Sequence, residues 1–246
     1  ADYYKQIVVD HPDFSEVEKS LFNAAYAYEQ GGLYPAASRE FERVFDRYPK
    51  FSRRNESLLR AADVLRKGRD FEAAARLFLK YKDSLPSDKE AVPSIFRAAT
   101  MYDSAGKPLE TARMYELVFA SAIEQKKKSS LYPGATEEAP GALYSAGRIY
   151  EKVDKYEDAI GVYRKLEKEY PASSFTPEAV FSIAICYEKL SDDKKLADAY
   201  MAYVQRYGED KAKVVHSLMK AAKANARIGK REEEEKIYRS IISIQN

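Results

Sequence analysis

The sequence predicts an all-α protein built from about six stacked helical hairpins. Aromatic residues recur at a nearly constant interval of 37 residues, which a single step of 48 interrupts. The series is Tyr4, Phe41, Phe78, Tyr115, Tyr163, Tyr200 and Tyr238. A period in the thirties is typical of stacked repeats, in which each unit buries its apolar face only against its neighbours.

The second helix of each hairpin carries this aromatic residue, here called the anchor. Most units have a small residue four positions before the anchor, as in Ala37, Ala74 and Ala159. In most units a proline or, in one case, a glycine stands eight positions after the anchor. Proline ends a helix because it has no N–H to donate and clashes with the preceding turn. These positions are Pro12, Pro49, Pro86, Pro171 and Gly208.

The first helix of each hairpin is predicted from a stripe of apolar or small residues upstream of the anchor. The stripe has the i, i+3, i+4, i+7 spacing of an amphipathic helix, as in Leu143, Ala146, Gly147 and Tyr150. Small residues in mid-stripe let two helices approach closely. We therefore expect four of them to be buried at helix crossings. They are Ala62, Ala99, Gly147 and Ala184.

Glycines separate the two helices of several hairpins and are suited to the left-handed residue that ends a helix. They are Gly31-Gly32, Gly68, Gly106 and Gly229. Each unit is therefore predicted to be a helix, a tight turn and a second helix.

In these features the chain resembles the tetratricopeptide repeat family. The family pattern of a leucine-like residue, a small residue, a tyrosine, an alanine, an aromatic residue and a proline is met best in the fourth hairpin. The matching residues are Leu143, Gly147, Tyr150, Ala159, Tyr163 and Pro171. The resemblance covers almost the whole chain and implies a right-handed α-solenoid that binds protein partners.

The repeats are longer than the family's usual period of 34 residues. Connections such as Tyr170-Pro171-Ala172-Ser173-Ser174 followed by Pro177-Glu178-Ala179 resemble those of bacterial envelope proteins. Two such proteins are the lipoprotein subunit of the outer-membrane β-barrel assembly machine and the periplasmic coordinator of the Tol-Pal system. This resemblance implies a periplasmic or cell-envelope location, with the cytoplasm as the alternative.

Four segments follow from the repeat pattern. Residues 1–12 match the second helix of a truncated repeat, residues 13–123 hold repeats 1–3, residues 124–140 are an insertion, and residues 141–246 hold repeats 4–6. The half repeat at the start leads us to expect a fragment of a longer protein. Attachment to a membrane through sequence outside the fragment is therefore left open.

The insertion of eleven residues explains the step of 48 between Tyr115 and Tyr163. Eleven residues make about three helical turns, which favours a lengthened helix. Lysine, serine, proline and glycine within the insertion favour a loop. We expect a composite, with the helix extended to about Lys128 and a loop from there to Pro140. Its role is either a docking protrusion or a tolerated insertion.

Composition and motifs argue against several functions. The 41 basic and 39 acidic side chains nearly balance, which gives no electrostatic case for nucleic acid. The two histidines, His11 and His216, stand far apart in the repeat, and the chain has no phosphate loop or nucleophile elbow. The single cysteine, Cys186, is expected to be a buried apolar thiol. We therefore predict no enzyme, no metal and no cofactor.

The candidate binding residues stand one position after the start of each first-helix stripe. This column lies about 110° from the centre of the stripe, so packing within the hairpin is not expected to need it apolar. All its members are apolar nonetheless: Phe22, Leu59, Phe96, Tyr144, Phe181 and Met219. Four positions later on the same face stand mixed residues, among them Tyr26, Asp63, Thr100, Arg148 and Lys223.

In tetratricopeptide repeats the equivalent column faces the concave groove, so the resemblance implies that these residues hold a peptide. The competing interpretation is that the column packs against the first helix of the next hairpin. Three function classes stay open: a scaffold for a protein or peptide partner, a structural or self-associating array, and a regulatory region of a larger protein.

Overall fold

The computed structural model describes residues 16–127 and 134–245, together with Gln6. The described residues form twelve helices and no strand, which confirms the all-α prediction. The chain divides into two compact units, Ala1–Ala135 and Thr136–Asn246. The predicted half repeat at residues 1–12 lies outside the described residues apart from Gln6.

The first unit holds three helical hairpins. Its helices are α1 (Val17–Gln30), α2 (Tyr34–Arg47), α3 (Arg54–Lys67), α4 (Phe71–Ser84), α5 (Ala91–Ser104) and α6 (Pro108–Lys127). Each helix packs against the next along the chain. The odd-numbered helices are the first helices of their hairpins and the even-numbered helices are the second.

The second unit repeats this plan. Its helices are α7 (Gly134–Lys152), α8 (Tyr156–Glu169), α9 (Thr176–Lys189), α10 (Asp193–Arg206), α11 (Lys211–Arg227) and α12 (Arg231–Gln245). Helices α8 to α12 pack in chain order, and the Tyr163 ring of α8 lies against Gly147 of α7.

Four of the anchors lie at the centre of their hairpin cores. Phe41, Phe78, Tyr163 and Tyr200 are almost fully buried, whereas Tyr238 of the last hairpin is 38% exposed. The four small residues expected at helix crossings, Ala62, Ala99, Gly147 and Ala184, are also buried, which confirms that prediction. In the fourth hairpin the small residue Gly147 of α7 faces the Tyr163 ring of α8 directly.

The second helices end where the sequence predicts. Helices α2, α4 and α8 stop two residues before Pro49, Pro86 and Pro171. At each stop the residue before the proline donates its backbone N–H to the carbonyl four positions back, as Tyr48 does to Val44. The proline then prevents another turn.

The turns within hairpins agree with the glycine pattern except at Gly68. Gly32, Gly106 and Gly229 have the expected positive φ, but Gly68 has a φ of −77° and the left-handed residue is Arg69. A Cβ at Gly68 would stand 3.0 Å from the Cβ of Tyr34. Gly68 is therefore suited to close approach between helices rather than to backbone reversal.

The insertion differs from its predicted form in part, and residues 128–133 of the expected loop lie outside the described residues. Helix α6 is 20 residues long and runs to Lys127, while residues 134–140, expected to be loop, already belong to α7. Pro140 lies inside α7, where it costs one backbone hydrogen bond without ending the helix. The glutamates and alanines around it favour the helix more than Pro133-Gly134 and Pro140 favour a loop.

Candidate functional site

The predicted binding column lies along the first helices, but its rings take part in hairpin packing. The Phe22 ring centroid is 5.0 Å from that of Phe41, its own anchor. Equivalent contacts join Phe96 to Tyr115 at 6.2 Å, Tyr144 to Tyr163 at 6.0 Å and Phe181 to Tyr200 at 5.7 Å. The expectation that hairpin packing does not need this column is wrong, because an aromatic side chain is long enough to reach the anchor from the flank of the stripe.

Residues of the following hairpin cover the same rings. The Arg53 guanidinium stands 4.0 Å from the Phe22 ring centroid, and the Lys213 ammonium stands 5.7 Å from that of Phe181. Phe175, which precedes α9, stacks on Tyr144 at 5.5 Å. The competing interpretation, packing against the next hairpin, thus describes part of what this column does.

Exposure along the column varies from one hairpin to the next. Phe22 is 3% exposed, whereas Met219 is 43% exposed. Leu59, Phe96, Tyr144 and Phe181 are half-buried. Partner binding by this column stays a prediction.

The predicted residues that stand four positions after the binding column are more accessible to solvent. Tyr26 is 47% exposed, and Thr100, Arg148 and Lys223 are exposed as well. Asp63 is half-buried and accepts a hydrogen bond from the Arg66 guanidinium at 3.2 Å.

The first unit contains a cavity of about 740 Å³, which is in the size class of ligand sites. It is lined by the first helices α1, α3 and α5, by the segment before α5 and by Tyr81 of α4. Two predicted residues, Leu59 and Asp63, line it. Most of the other lining residues are charged. They are Glu29, Glu56, Arg60, Arg66, Lys67, Asp88, Lys89, Glu90 and Arg97.

Ion pairs hold most of these charges in place. Lys67 binds the buried carboxylate of Glu29, and the Arg97 guanidinium donates to Glu90 at 2.9 Å. Arg60 donates to Glu56 at 2.7 Å, and Arg53 forms a bidentate pair with the same carboxylate at 2.7 Å. The side chains are therefore fixed before a partner arrives, which lowers the entropy cost of binding.

The pKa of Glu56 reflects this setting. The hydrogen bond from Arg53 is the main cause, and together with Arg60 it lowers the Glu56 pKa from 4.5 to about 2. The carboxylate therefore stays ionised at any ordinary pH and keeps both arginines oriented.

The arginines of this cavity were not among the binding residues predicted from the sequence. Arg60 and Arg97 occupy the same repeat position, one residue after Leu59 and Phe96 of the predicted column. That repetition was a usable signal. An aligned pair of arginines points to hydrogen bonding with carboxylates or carbonyl groups rather than to apolar anchoring alone.

Other kinds of site find no support in residues 16–127 and 134–245. No group of three or more His, Cys, Asp and Glu side chains there is placed to hold a metal ion. Within the same residues, none of the helices is both long enough and apolar enough to cross a membrane. His216 is exposed and contacts the rings of Phe181 and Tyr200.

Family models identify the repeats. Residues 22–89 and residues 141–173 each match a tetratricopeptide repeat model. Both stretches contain hairpins that the structure describes, so the chain carries tetratricopeptide repeats there. Repeats of this kind bind protein or peptide partners and are generally non-enzymatic scaffolds. The matches give no support to the narrower resemblance to envelope proteins.

No curated protein matches the sequence. Among solved structures, the chain is similar to BtubC from P. vanneervenii, with 15% identity, a TM-score of 0.44 and coverage of 90% of this chain and 91% of that one. It is similar to a tetratricopeptide repeat protein from Parabacteroides merdae, with 14% identity, a TM-score of 0.39 and coverage of 92% and 79%.

A third solved structure is YrrB, described as a tetratricopeptide repeat protein with an unusual peptide-binding site. It has 16% identity and a TM-score of 0.43, and the alignment covers 83% of this chain and 92% of YrrB. TM-scores below 0.5 carry no inference, so the repeat assignment rests on the family models and on the hairpins themselves.

Proposed function

We propose that this chain is a non-enzymatic scaffold that holds an extended segment of a protein partner against its first helices. The observation that carries the proposal is the 740 Å³ cavity of the first unit, lined by Leu59, Asp63 and a set of fixed charges. Its arginines suit the carbonyl and carboxylate groups of a peptide, and Leu59 offers a small apolar contact.

The charges give this binding a distinct character. Arg60 and Arg97 each donate to a carboxylate of the cavity and still have guanidinium N–H groups to offer a ligand. A bound peptide would therefore gain charge-assisted hydrogen bonds without first ordering these side chains. Because charged contacts are screened by ions, binding should weaken as the salt concentration rises.

A structural array segment is the alternative that one specific observation favours. The aromatic column is half-buried by the chain's own anchors and by Arg53, Phe175 and Lys213. A column used this way stabilises the stack and leaves less apolar surface for a partner. Self-association of the chain belongs to the same alternative.

We also propose that the scaffold works in a bacterial cell-envelope complex. The support is the 37-residue period and the connection Tyr170-Pro171-Ala172-Ser173-Ser174, which resembles the longer envelope repeats. Fractionation of the source organism with an antibody against the chain tests the location. Recovery in the cytoplasmic fraction would remove this part of the proposal and leave the scaffold function standing.

The cavity is tested with a photo-reactive amino acid placed at Asp63, inside the cavity, and in a parallel variant at Arg76, an exposed residue of α4 outside it. We expect a partner to cross-link at Asp63 and not at Arg76. The double variant Leu59→Ala and Arg97→Ala should lose the same partner while keeping its helical circular dichroism.

Two results would contradict the proposal. One is the same adduct at both positions, which indicates contact without a defined site. The other is an unchanged adduct at Asp63 in a folded Leu59→Ala, Arg97→Ala variant, because the cavity would then contribute nothing to capture.

A further inference from the structure

A second groove lies in the second unit, between the second helices of the fourth and fifth hairpins. Helices α8 and α10 form its walls and α9 forms its floor. The groove is open to solvent and has a volume of about 440 Å³, which is large enough for a ligand. This groove shares no residue with the predicted binding column, so the proposed function above does not use it.

The floor of the groove is apolar. Val180, Ile183 and Tyr187 follow one another at i, i+3 and i+7 along α9, and each is less than a tenth exposed. Ala199 and Ala202 of α10 are small and leave the space above this floor open. An apolar side chain of moderate size can therefore enter from solvent.

Cations stand around this floor. The Arg164 guanidinium donates to the Tyr187 hydroxyl at 2.7 Å and lies 5.9 Å from the ring centroid. The Lys195 ammonium lies 5.6 Å from the same centroid. The pKa of Lys195 is raised by its hydrogen bond with Asp192, while the positive charge of Arg164 acts in the opposite direction.

Two acidic residues line the groove, Glu167 of α8 and Asp198 of α10. Glu167 is bound by Arg206, and Asp192 pairs with Lys195 at 2.8 Å. Asp198 stands exposed on the α10 wall. Arg164 donates its hydrogen bond to a neutral hydroxyl, so this bond leaves the charge of the guanidinium and its other N–H groups to pair with a carboxylate.

The equivalent groove between the first two hairpins is closed by the protein itself. There Lys80 of α4 reaches across to α2 and bonds Glu42 at 2.8 Å and Asp46 at 3.0 Å. Counted from the anchors, Arg164 takes the position of Glu42, and Ala202 takes the position of Lys80. The second unit thus has no lysine at this position and carries a cation where the first unit has the acid, and its α8 and α10 are bridged instead by the pair of Arg206 and Glu167.

We propose that the groove between α8 and α10 binds a segment of a protein partner in which an acidic residue neighbours an apolar one. The apolar side chain lies on Val180, Ile183 and Tyr187. The carboxylate pairs with Arg164 and Lys195, and so supplies the negative charge that Glu42 supplies in the first unit. Charge complementarity and the internal comparison between repeats both favour this occupant.

The decisive variant rebuilds the closed groove. Arg164→Glu with Ala202→Lys recreates the pair formed by Glu42 and Lys80, so the variant should fold with an unfolding midpoint at or above that of the wild type. A matched control, Asp198→Asn, removes an acid from the wall and should strengthen binding. Asp63→Lys, in the other unit's cavity, should have no effect and separates this proposal from the proposed function.

The probe is a displayed library of random eight-residue peptides selected on the wild-type chain. We expect enrichment of peptides with Asp or Glu beside Leu, Ile or Phe. Their affinity, measured by fluorescence anisotropy, should fall on the order of tenfold or more in the Arg164→Glu, Ala202→Lys variant, as expected when a charge-assisted pair is lost.

Selected peptides without an acidic residue would overturn the proposal, as would a selection that yields no peptide sensitive to the double variant. The groove could also be occupied by a second copy of the chain, and light scattering tests this by measuring the oligomeric state. A wild type that is dimeric and a double variant that is monomeric would assign the groove to self-association and overturn peptide binding.

Discussion

Gly147 lies where α7 and α8 cross, and the Tyr163 ring fills the space that a side chain would need. A Cβ at this position would stand 2.3 Å from the ring, closer than atoms can approach. The ring is held by its buried setting and by the hydrogen bond from the Tyr163 hydroxyl to Glu151 at 2.7 Å. Glycine is therefore required here by packing, not by backbone conformation.

Replacing Gly147 should destabilise the second unit. We expect Gly147→Ala to lower the free energy of unfolding by on the order of 1 to 3 kcal/mol and Gly147→Leu to lower it further. Gly161 on α8 is the matched control, because a Cβ there meets nothing within 4 Å. Gly161→Ala should raise stability by roughly 0.5 to 1 kcal/mol through helix propensity. Equal effects of the two alanines in urea denaturation would contradict the assigned crossing.

Cys186 should be inert in the folded protein. It is fully buried, as predicted from the sequence, and burial followed by the nearby negative charge of Glu151 raises its pKa to about 12. At about pH 8 the thiol is therefore protonated and inaccessible, although the thiolate is the reactive form. Its reaction with a chromogenic disulfide reagent should be far slower in buffer than in guanidinium chloride. Similar rates in the two conditions would show that the core around α9 opens readily.

At the scale of the helix, sequence patterns predict where elements lie better than how they connect. The prolines that follow the anchors predicted the ends of α2, α4 and α8 correctly, because proline acts locally on the backbone. The start of α7 and the role of Gly68 could not be read the same way. At the start of α7 the local signals oppose one another, because glutamates and alanines favour a helix while Pro133-Gly134 and Pro140 favour a loop. The role of Gly68 depends on a tertiary contact, the approach of Tyr34.

For the binding column too, the sequence predicts where the residues lie but not which contacts they make. Its repetition along the first helices could be predicted, but the reach of each ring to its anchor could not, since a helical wheel fixes the direction of a side chain and not its length. The charged cavity was missed for a related reason. Glu29 and Lys67 stand 38 positions apart and meet only when hairpins stack.

Glu56 gives helix α3 a pH-dependent contribution to stability. Its pKa is lowered in the folded protein to about 2 from 4.5, so its stabilising effect is present above about pH 4.5 and is lost as the pH falls toward 2. The side chain is 40% exposed, and solvent screening keeps the effect small. In denaturant titrations the wild type should exceed Glu56→Gln in stability at neutral pH, and this difference should shrink in acid. A difference that is constant down to pH 2 would show that Arg53 and Arg60 do not act through this carboxylate.

Among the described residues of each unit, several ion pairs join neighbouring hairpins. In the first unit Lys80 reaches back to Glu42 and Lys107 to Glu72; in the second, Lys220 reaches back to Glu188 and Arg227 to Asp193. The base comes from the later hairpin in each of these pairs. Each pair is partly exposed to solvent and contributes about 0 to 1 kcal/mol, so the pairs add little to stability.

The division into two units predicts how fragments behave. Each unit contains three hairpins, and about three repeats are needed before a stack buries enough apolar surface to be stable. Residues 136–246 expressed alone should therefore be helical by circular dichroism and unfold cooperatively. Residues 174–246 keep only the last two hairpins and lose Tyr163 and Leu166, which are fully buried. This shorter fragment should unfold at a lower urea concentration and over a broader range. If residues 136–246 were instead disordered while residues 174–246 unfolded cooperatively, the boundary at Ala135 would not separate two folding units. Single hairpins would then be the units that fold.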